Sequence, residues 1–252
     1  MINDIHHQSS TINYLLSTIK EGAIFIADSH YNKERNELVT ILEKIKSGDI
    51  QTTQLFLMGD IFDFLCEESN YFKTVNQEPI SIINELSQKI EIYYFEGNHD
   101  FNLASIFPKV KVFPRNIQPV AFGLHTNMIA YLSHGDIYTN NIYNLYCKVI
   151  RNSLLLKIVN LFDFNNFITK KIAKKLAIKN ICKKLDNFDD FMISRINSYP
   201  PCDYIIEGHF HQCSSLLYAN KNYFNLPSAF CSKMYARMSQ KSIKLEHLNI
   251  ND

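Results

Sequence analysis

The stretch Phe56-Leu57-Met58-Gly59-Asp60-Ile61-Phe62-Asp63 constrains this chain more than any other. An apolar run of strand character stops at a carboxylate, as a buried strand does where it reaches solvent. Gly59 supplies the tight backbone turn that a ligand site requires. Asp60, left at the exposed end with one oxygen for each of two cations, is the expected bridging ligand. Four further apolar runs end in the same chemistry: residues 24–27 before Asp28-Ser29-His30, residues 93–96 before Gly97-Asn98-His99-Asp100, residues 130–132 before Ser133-His134-Gly135-Asp136, and residues 204–207 before Gly208-His209-Phe210-His211. A single Asp or His taken at random is more often a surface or hydrogen-bonded residue, but recurrence at five strand ends marks a set.

The order of elements says how these ends can meet. Residues 24–27, 55–58 and 92–95 read as buried strands. Between them, residues 33–45 place Leu38, Ile41, Leu42 and Ile45 at helical spacing, and residues 79–89 do the same with Ile82, Ile83 and Leu86. Strand, helix, strand, helix, strand implies a parallel sheet covered by helices, with functional groups in the loops beyond the carboxyl ends of the strands. Residues 128–132 and 204–206 are further strands. Residues 216–218, 223–226 and 243–248 read as antiparallel strands that close a second sheet.

Residues 141–199 break this rhythm: helical spacing runs almost throughout, with no Gly or Pro and with paired lysines at Lys170-Lys171, Lys174-Lys175 and Lys183-Lys184. We expect one domain over residues 1–252 with a helical, Lys-rich cap inserted at 139–200. That insertion holds eleven Lys or Arg against four Asp, so within a net charge of +1 it carries +7 and the remainder −6.

With 252 residues, 46% of them hydrophobic and 20% charged, the chain has the means to build a sizeable core. Residues 1–17 lack the basic start and apolar centre of a secretory leader, and no apolar run approaches the roughly 18 residues needed to span a bilayer. The six cysteines, Cys66, Cys147, Cys182, Cys202, Cys213 and Cys231, form no Cys-x-x-Cys pair. Free thiols in a reducing cytoplasm are the expectation.

Collected, the loop residues offer Asp28, Asp60 and Asp63, Asn98, and the imidazoles of His30, His134, His209 and His211, with no thiolate among them. Mixed oxygen and imidazole donors suit Mn²⁺ first, then Fe²⁺ or Zn²⁺, over Ca²⁺ or a sulfur-held structural zinc. The blocks Asp28-Ser29-His30, Gly59-Asp60-Ile61-Phe62-Asp63, Gly97-Asn98-His99-Asp100, His134-Gly135 and Gly208-His209-Phe210-His211 resemble, in order and span, the signature of the calcineurin-like metallophosphoesterase superfamily. The resemblance implies an α/β fold, a four-layer sandwich of two mixed β-sheets flanked by helices. It further implies a first metal on Asp28, His30, Asp60 and His211 and a second on Asp60, Asn98, His134 and His209. His99 would stand over the leaving oxygen as proton donor or phosphate clamp, while Asp63 and Asp100 would orient the ligands. His6, His7, His125 and His247 have no such company and read as structural or surface residues. For Asp136, a loop-fixing role and a plain turn role stand side by side.

Within that superfamily, a Lys-rich helical insertion between the His134 and His209 blocks looks like the UDP-2,3-diacylglucosamine pyrophosphatases of lipid A biosynthesis, which hold acyl chains under a helical cap. That resemblance implies cleavage of a nucleotide-linked lipid to a lipid monophosphate and UMP at the cytoplasmic face of the inner membrane, with Lys170, Lys171, Lys174 and Lys175 meeting its phosphates. The best-known branch of that group carries Arg in the slot held here by His99. A phosphodiesterase or phosphatase acting on a soluble nucleotide is the alternative, and under it the insertion is an ordinary amphipathic helical pair with a solvated Lys face. A scaffold that has lost its metals is a third reading, against which no ligand is missing. No recognisable stacking motif points to nucleic acid, and no obligate protein partner is implied.

Overall fold

The computed structural model describes residues 16–124, 127–239 and 242–248. His6, His7 and His125 lie outside them, and His247 is exposed at the end of the last strand.

Strands β1 (Ile24–Ile26), β2 (Gln54–Leu57), β4 (Glu91–Phe95) and β6 (Lys111–Phe113) run parallel in one sheet. A two-residue strand β3 (Leu65–Cys66) pairs with β5 (Asp100–Phe101) outside it. Helices α1 (Glu37–Ser47), α2 (Asn70–Val75) and α3 (Gln77–Leu86) fill the connections. Leu38, Ile41, Leu42 and Ile45 bury one stripe of α1, and Gly48, left-handed at φ 91°, stops it. Pro79 falls in the first turn of α3, where its missing N–H has no intrahelical partner to lose. The second sheet has order β10-β11-β9-β8-β7, built from β7 (Val120–Gly123), β8 (Ile129–Ser133), β9 (Tyr204–Glu207), β10 (Ser214–Tyr218) and β11 (Lys221–Asn225).

Two-residue alternation along the strands sorts the core into layers. Ile24, Ile26, Leu55, Leu57 and Tyr94 meet α1 and α3 on one face. Phe25, Phe56, Tyr93 and Phe95 meet Phe122, Ala130, Leu132 and Ile206 of the other sheet. On the far face of the second sheet, Ile205 and Tyr223 meet Phe188, Met192 and Ile196. Helix, sheet, sheet, helix is the expected four-layer α/β sandwich.

Between β8 and β9 the chain forms α4 (Asn141–Ile150), α5 (Ser153–Phe162), α6 (Phe167–Ala177) and α7 (Phe188–Ser198). Continuous helix was nearly the expectation here. Instead, Asp163 interrupts at α5's end by accepting from the N–H groups of Ile168 and Thr169, and residues 178–187 connect α6 to α7 without helix. The α7 helix is fixed by a buried ion pair, in which Arg195 Nε donates to Glu207 Oε2 at 3.2 Å and Tyr223 donates to the same oxygen at 2.7 Å.

Two expectations are corrected. Residues 243–248 do not close the second sheet: β13 (Ser242–His247) pairs with β12 (Met234–Ser239), which runs antiparallel to β1 at the edge of the first sheet. The short helix α8 (Ala229–Ser232) turns the chain back from β11 to reach that edge. Nor are all cysteines free. Cys182 and Cys231 are joined by a disulfide across 49 residues, with Cα atoms 5.4 Å apart, because the α6–α7 connection passes over α8. Cys66, Cys147, Cys202 and Cys213 are free thiols.

Candidate metal centre

The parallel strands β1, β2 and β4 point their carboxyl ends the same way, which delivers Asp28, His30, Asp60, Asn98 and His99 to one edge of the first sheet. Strands β8 and β9 of the facing sheet deliver His134, His209 and His211 to the same edge. Asp28, His30 and His211 form one convergent group. Asp60, His134 and His209 form a second, and His30, Asp60 and His99 a third. Within each, the donor atoms lie within 4.8 Å of one another. Asn98 joins the second group, its Oδ1 standing 3.4 Å from His134 Nε2.

The backbone is bent to achieve this. Asp28, His30, Asp60, His209 and His211 all have positive φ, between 45° and 67°. For a residue with a side chain that conformation costs roughly 1–2 kcal/mol, and it is tolerated where the surroundings over-determine it. Here the determinants are visible: Asp28 N–H donates to Gly59 O (3.1 Å), His30 N–H to Asp60 O (3.0 Å), and His209 N–H to Asp28 Oδ2 (2.8 Å). Gly59, at φ 84°, lies so close to His134 that a Cβ there would come within 2.4 Å of the imidazole Nδ1. Gly97 is equally obligatory, since a Cβ would meet Asp60 Oδ1 at 2.2 Å.

Two of the imidazoles are oriented from behind. His134 Nδ1 donates to Met58 O at 3.0 Å and His211 Nδ1 to Ile181 O at 2.7 Å, which turns both Nε2 atoms inward. There His211 Nε2 faces Asp28 Oδ1 (3.2 Å) and His30 Nε2 (3.3 Å), while His134 Nε2 faces Asp60 Oδ2 (3.5 Å) and His209 Nδ1 (3.2 Å). Imidazole nitrogens confronting one another among buried carboxylates are what a pair of divalent cations would reconcile, so the residues present fit the metals.

The charge balance is consistent. Burial alone would raise the carboxyl of Asp60, yet His134, His99 and His30 around it hold it well below its ordinary value. Burial likewise opposes ionisation of Asp28, and His211 beside it still lowers its pKa. Against the desolvation of its ring, His134 is pushed up to about 10 by Asp60 and Asp28. His209 is brought down to about 4, first by burial and then by the charge on His134, which leaves its ring neutral with a lone pair to give. The carboxylates thus favour positive charge at this place, and a metal bound there would require His134 to be neutral.

Asp100 knits the two central loops together: Oδ1 accepts from the N–H groups of Gly97 (2.9 Å) and Asp60 (3.0 Å), and Oδ2 from Ile61 N–H (2.6 Å) and Tyr94 O–H (2.6 Å). Asp63 Oδ1 accepts from Arg35 Nη1 at 2.8 Å and lies 3.6 Å from His30 Nδ1, a buried atom with no hydrogen-bond partner. His99 Nδ1 donates to Asp63 O at 2.7 Å, so the opposite nitrogen is turned towards the pocket. Asp136 is a loop-fixing residue, fully buried and clamped by Arg115 Nε (2.9 Å) and Arg151 Nη2 (3.1 Å); Arg151 also donates to Gly97 O at 2.7 Å.

The lysines separate. Lys170 and Lys174 line a cavity of about 470 Å³ between α6, α2 and the loop after β1, whereas Lys171 and Lys175 are exposed and do not line it. Lys179, Asn180 and Ile181 line the metal pocket itself, a space of about 190 Å³. Sequence reading missed them: their neighbourhood to His211 exists only because residues 178–185 strap across the site, and no local pattern announces a strap.

The calcineurin-like phosphoesterase family profile matches residues 1–213 of the chain. Over 200 residues the chain is 24% identical to the UDP-2,3-diacylglucosamine hydrolase of Photorhabdus laumondii, covering 75% of this chain and 81% of that protein. It is 22% identical to the enzyme of the same name from Blochmanniella pennsylvanica over 238 residues, 88% and 92% of the two chains. Among solved structures, the phosphoesterase Yfce from E. coli aligns over 91% of this chain and 94% of its own, at 12% identity and a TM-score of 0.48. With five strand ends that bear candidate metal ligands gathered at one edge of two facing sheets and a profile that spans most of its length, the chain is a phosphoester hydrolase belonging to the calcineurin-like phosphoesterase family.

Proposed function

We propose that this chain, as one metallophosphoesterase unit with residues 139–200 as its cap, hydrolyses the pyrophosphate of UDP-2,3-diacylglucosamine to 2,3-diacylglucosamine 1-phosphate and UMP. The observation that carries this reading is the 470 Å³ cavity. Tyr31, Phe64, Phe72, Val75, Ala173 and Ile178 make it predominantly apolar, and Asp63, whose carboxylate also lies 3.6 Å from His30 Nδ1, forms part of its wall. A pocket for hydrocarbon that shares a residue with a phosphoester-cleaving centre suits a lipid phosphate. The names of the relatives agree with the reading.

When bound, two divalent cations, Mn²⁺ foremost, would lower the pKa of a shared water and neutralise the phosphoryl oxygens. Asp28, His30, Asp60 and His211 would hold one, and Asp60, Asn98, His134 and His209 the other. The chain's own residues do the rest. His99, pinned through Nδ1 to Asp63 O, offers its outer nitrogen to the departing oxygen. Lys170 and Lys174 place positive charge at the mouth of the apolar cavity, where a headgroup would lie.

The cap supplies a way to reach a membrane-borne substrate. Ile142, Leu154, Leu161, Phe162, Phe164 and Phe167 are 62–83% exposed, next to Lys148, Lys157, Lys171 and Lys175. Apolar and basic side chains mixed in this way favour shallow insertion at an anionic lipid surface. Among the described residues no helix is long and apolar enough to cross a membrane. The reading is peripheral attachment at the cytoplasmic face of the inner membrane.

Incubation of the purified chain and Mn²⁺ with UDP-2,3-diacylglucosamine is expected to release UMP. Ala173→Trp, which fills the cavity, is expected to raise KM for the lipid nucleotide about tenfold or more and to leave cleavage of bis(p-nitrophenyl) phosphate unchanged. Absence of UMP alongside efficient diester cleavage would reject the lipid substrate in favour of a soluble one.

A further inference from the structure

The Cys182–Cys231 disulfide is unexplained by the hydrolytic chemistry. Its surroundings give it a place in the site. Cys182 follows Ile181, whose carbonyl is the acceptor that turns His211 inward at 2.7 Å. Cys231 sits on α8, which is docked on the carboxyl end of β1: Ala229 N–H donates to Ala27 O (2.9 Å) and Ser228 Oγ to Asp28 O (2.7 Å). The Cys231 sulfur is also 3.9 Å from His211 Nδ1. The covalent bond therefore ties the carbonyl behind one ligand, His211, to the strand end that carries another, Asp28.

The strap's other fastenings gather at its two ends. Arg35 Nη2 donates to Ala177 O (2.7 Å) and to Lys179 O (3.5 Å) at its start, and at its end Gln212 exchanges hydrogen bonds with Lys183 O (3.1 Å), Lys184 Nζ (2.8 Å) and Leu185 N–H (2.9 Å). Across Lys179, Asn180 and Ile181, residues that line the metal pocket, the strap lacks helix or strand, and the closest covalent tether is the disulfide.

We propose that the Cys182–Cys231 disulfide is a positioning element for His211, and that its reduction by a cellular thiol loosens the metal on the His211 side, making the hydrolase redox-responsive. The chemistry is ordinary exchange. Cys182 is exposed and Cys231 less so, so a glutathione thiolate attacks Cys182 Sγ, the Sγ–Sγ bond breaks, and Cys231 leaves as thiolate. A second glutathione then attacks the mixed disulfide, releasing the Cys182 thiolate and glutathione disulfide. Both thiolates take up the protons lost by the two glutathione thiols, and the two electrons come from those thiols. In a reducing compartment such a bond is transient and regulatory. Residues behind a metal-ligating imidazole typically contribute 10–100-fold to affinity.

The inference rests on the two-metal reading of the site, and its test separates the two. The full chain is prepared oxidised, then reduced with glutathione and desalted anaerobically, and free Mn²⁺ is measured by electron paramagnetic resonance during titration. Reduction is expected to weaken one of two Mn²⁺ sites about tenfold and to leave the other in place. Cys182→Ser should behave as the reduced chain whatever the redox treatment, and Cys202→Ser should respond as wild type. Thiol counting in denaturant should find four thiols in the oxidised chain and six after reduction. Equal affinity in oxidised, reduced and Cys182→Ser chains, or six thiols after equilibration with glutathione disulfide, would overturn the proposal alone. Failure to bind Mn²⁺ in either state would overturn the metal reading together with it.

Discussion

The backbone N–H of His99 donates to Oδ1 of Asp60 at 2.8 Å, while Oδ2 of the same carboxylate stands between His134 (3.5 Å) and His30 (3.9 Å). One residue thus faces imidazoles of both proposed metal sets and is held in place by the loop that carries Asn98. Asp60→Ala is expected to lower turnover by at least about two orders of magnitude while the far-ultraviolet circular dichroism is kept. Asp60→Asn, which retains the acceptor for His99 N–H, should fold as well as wild type and be equally impaired. Retained activity in either would remove Asp60 from the bridging position.

His99 lies close enough to His30 and Asp60 to be counted a ligand itself, but its Nδ1 is engaged by Asp63 O. As proton donor or phosphate clamp, its loss should slow the reaction roughly 10²–10⁴-fold with both metals still bound. Metal analysis of His99→Ala by inductively coupled plasma mass spectrometry decides the matter: a lost ion would make it a ligand.

Burial lifts the Glu96 carboxyl to about 7. A carboxyl that holds its proton more tightly when folded adds no penalty below its unfolded value near 4.5. Stability falls as pH rises from there through about 7, because only the unfolded chain ionises freely. Glu96→Gln, which still accepts from Leu103 N–H in the manner of Glu96 Oε1, should therefore gain on the order of 1–3 kcal/mol at pH 8 and nothing at pH 4.5. Urea denaturation at the two pH values measures this.

Arg195 is the central cation of a buried network on Glu207, a residue wholly removed from solvent. Arg195→Met leaves that carboxylate unpaired and is expected to cost about 3–5 kcal/mol, seen as a lowered urea midpoint. Glu207→Gln with Arg195→Met should recover part of the loss, since the stranded charge is gone.

Much of this was legible because it is local. Each of β1, β2, β4, β8 and β9 carries its candidate ligand immediately after an apolar run, so strand and candidate announce one another, and the parallel order places all the ends at one edge. The ledger of contacts between distant segments was not legible. That β12 returns to β1 depends on α8 reversing the chain, and a disulfide across 49 residues follows from the strap's path over α8. Asp136 could not be assigned a role before Arg115 and Arg151, neither of them adjacent in sequence, were seen to clamp it. Of the four lysines expected to meet substrate phosphates, only Lys170 and Lys174 share the helix face that meets the cavity; pairs adjacent in sequence point about 100° apart on a helix.

The most direct measurement is a crystal structure of the chain grown with Mn²⁺, with anomalous difference maps collected at the manganese edge. Two peaks about 3.5–4 Å apart on opposite sides of the Asp60 carboxylate, one next to His211 and the other next to His209, are expected. A single peak away from Asp60, or none at saturating Mn²⁺, would contradict the two-metal account.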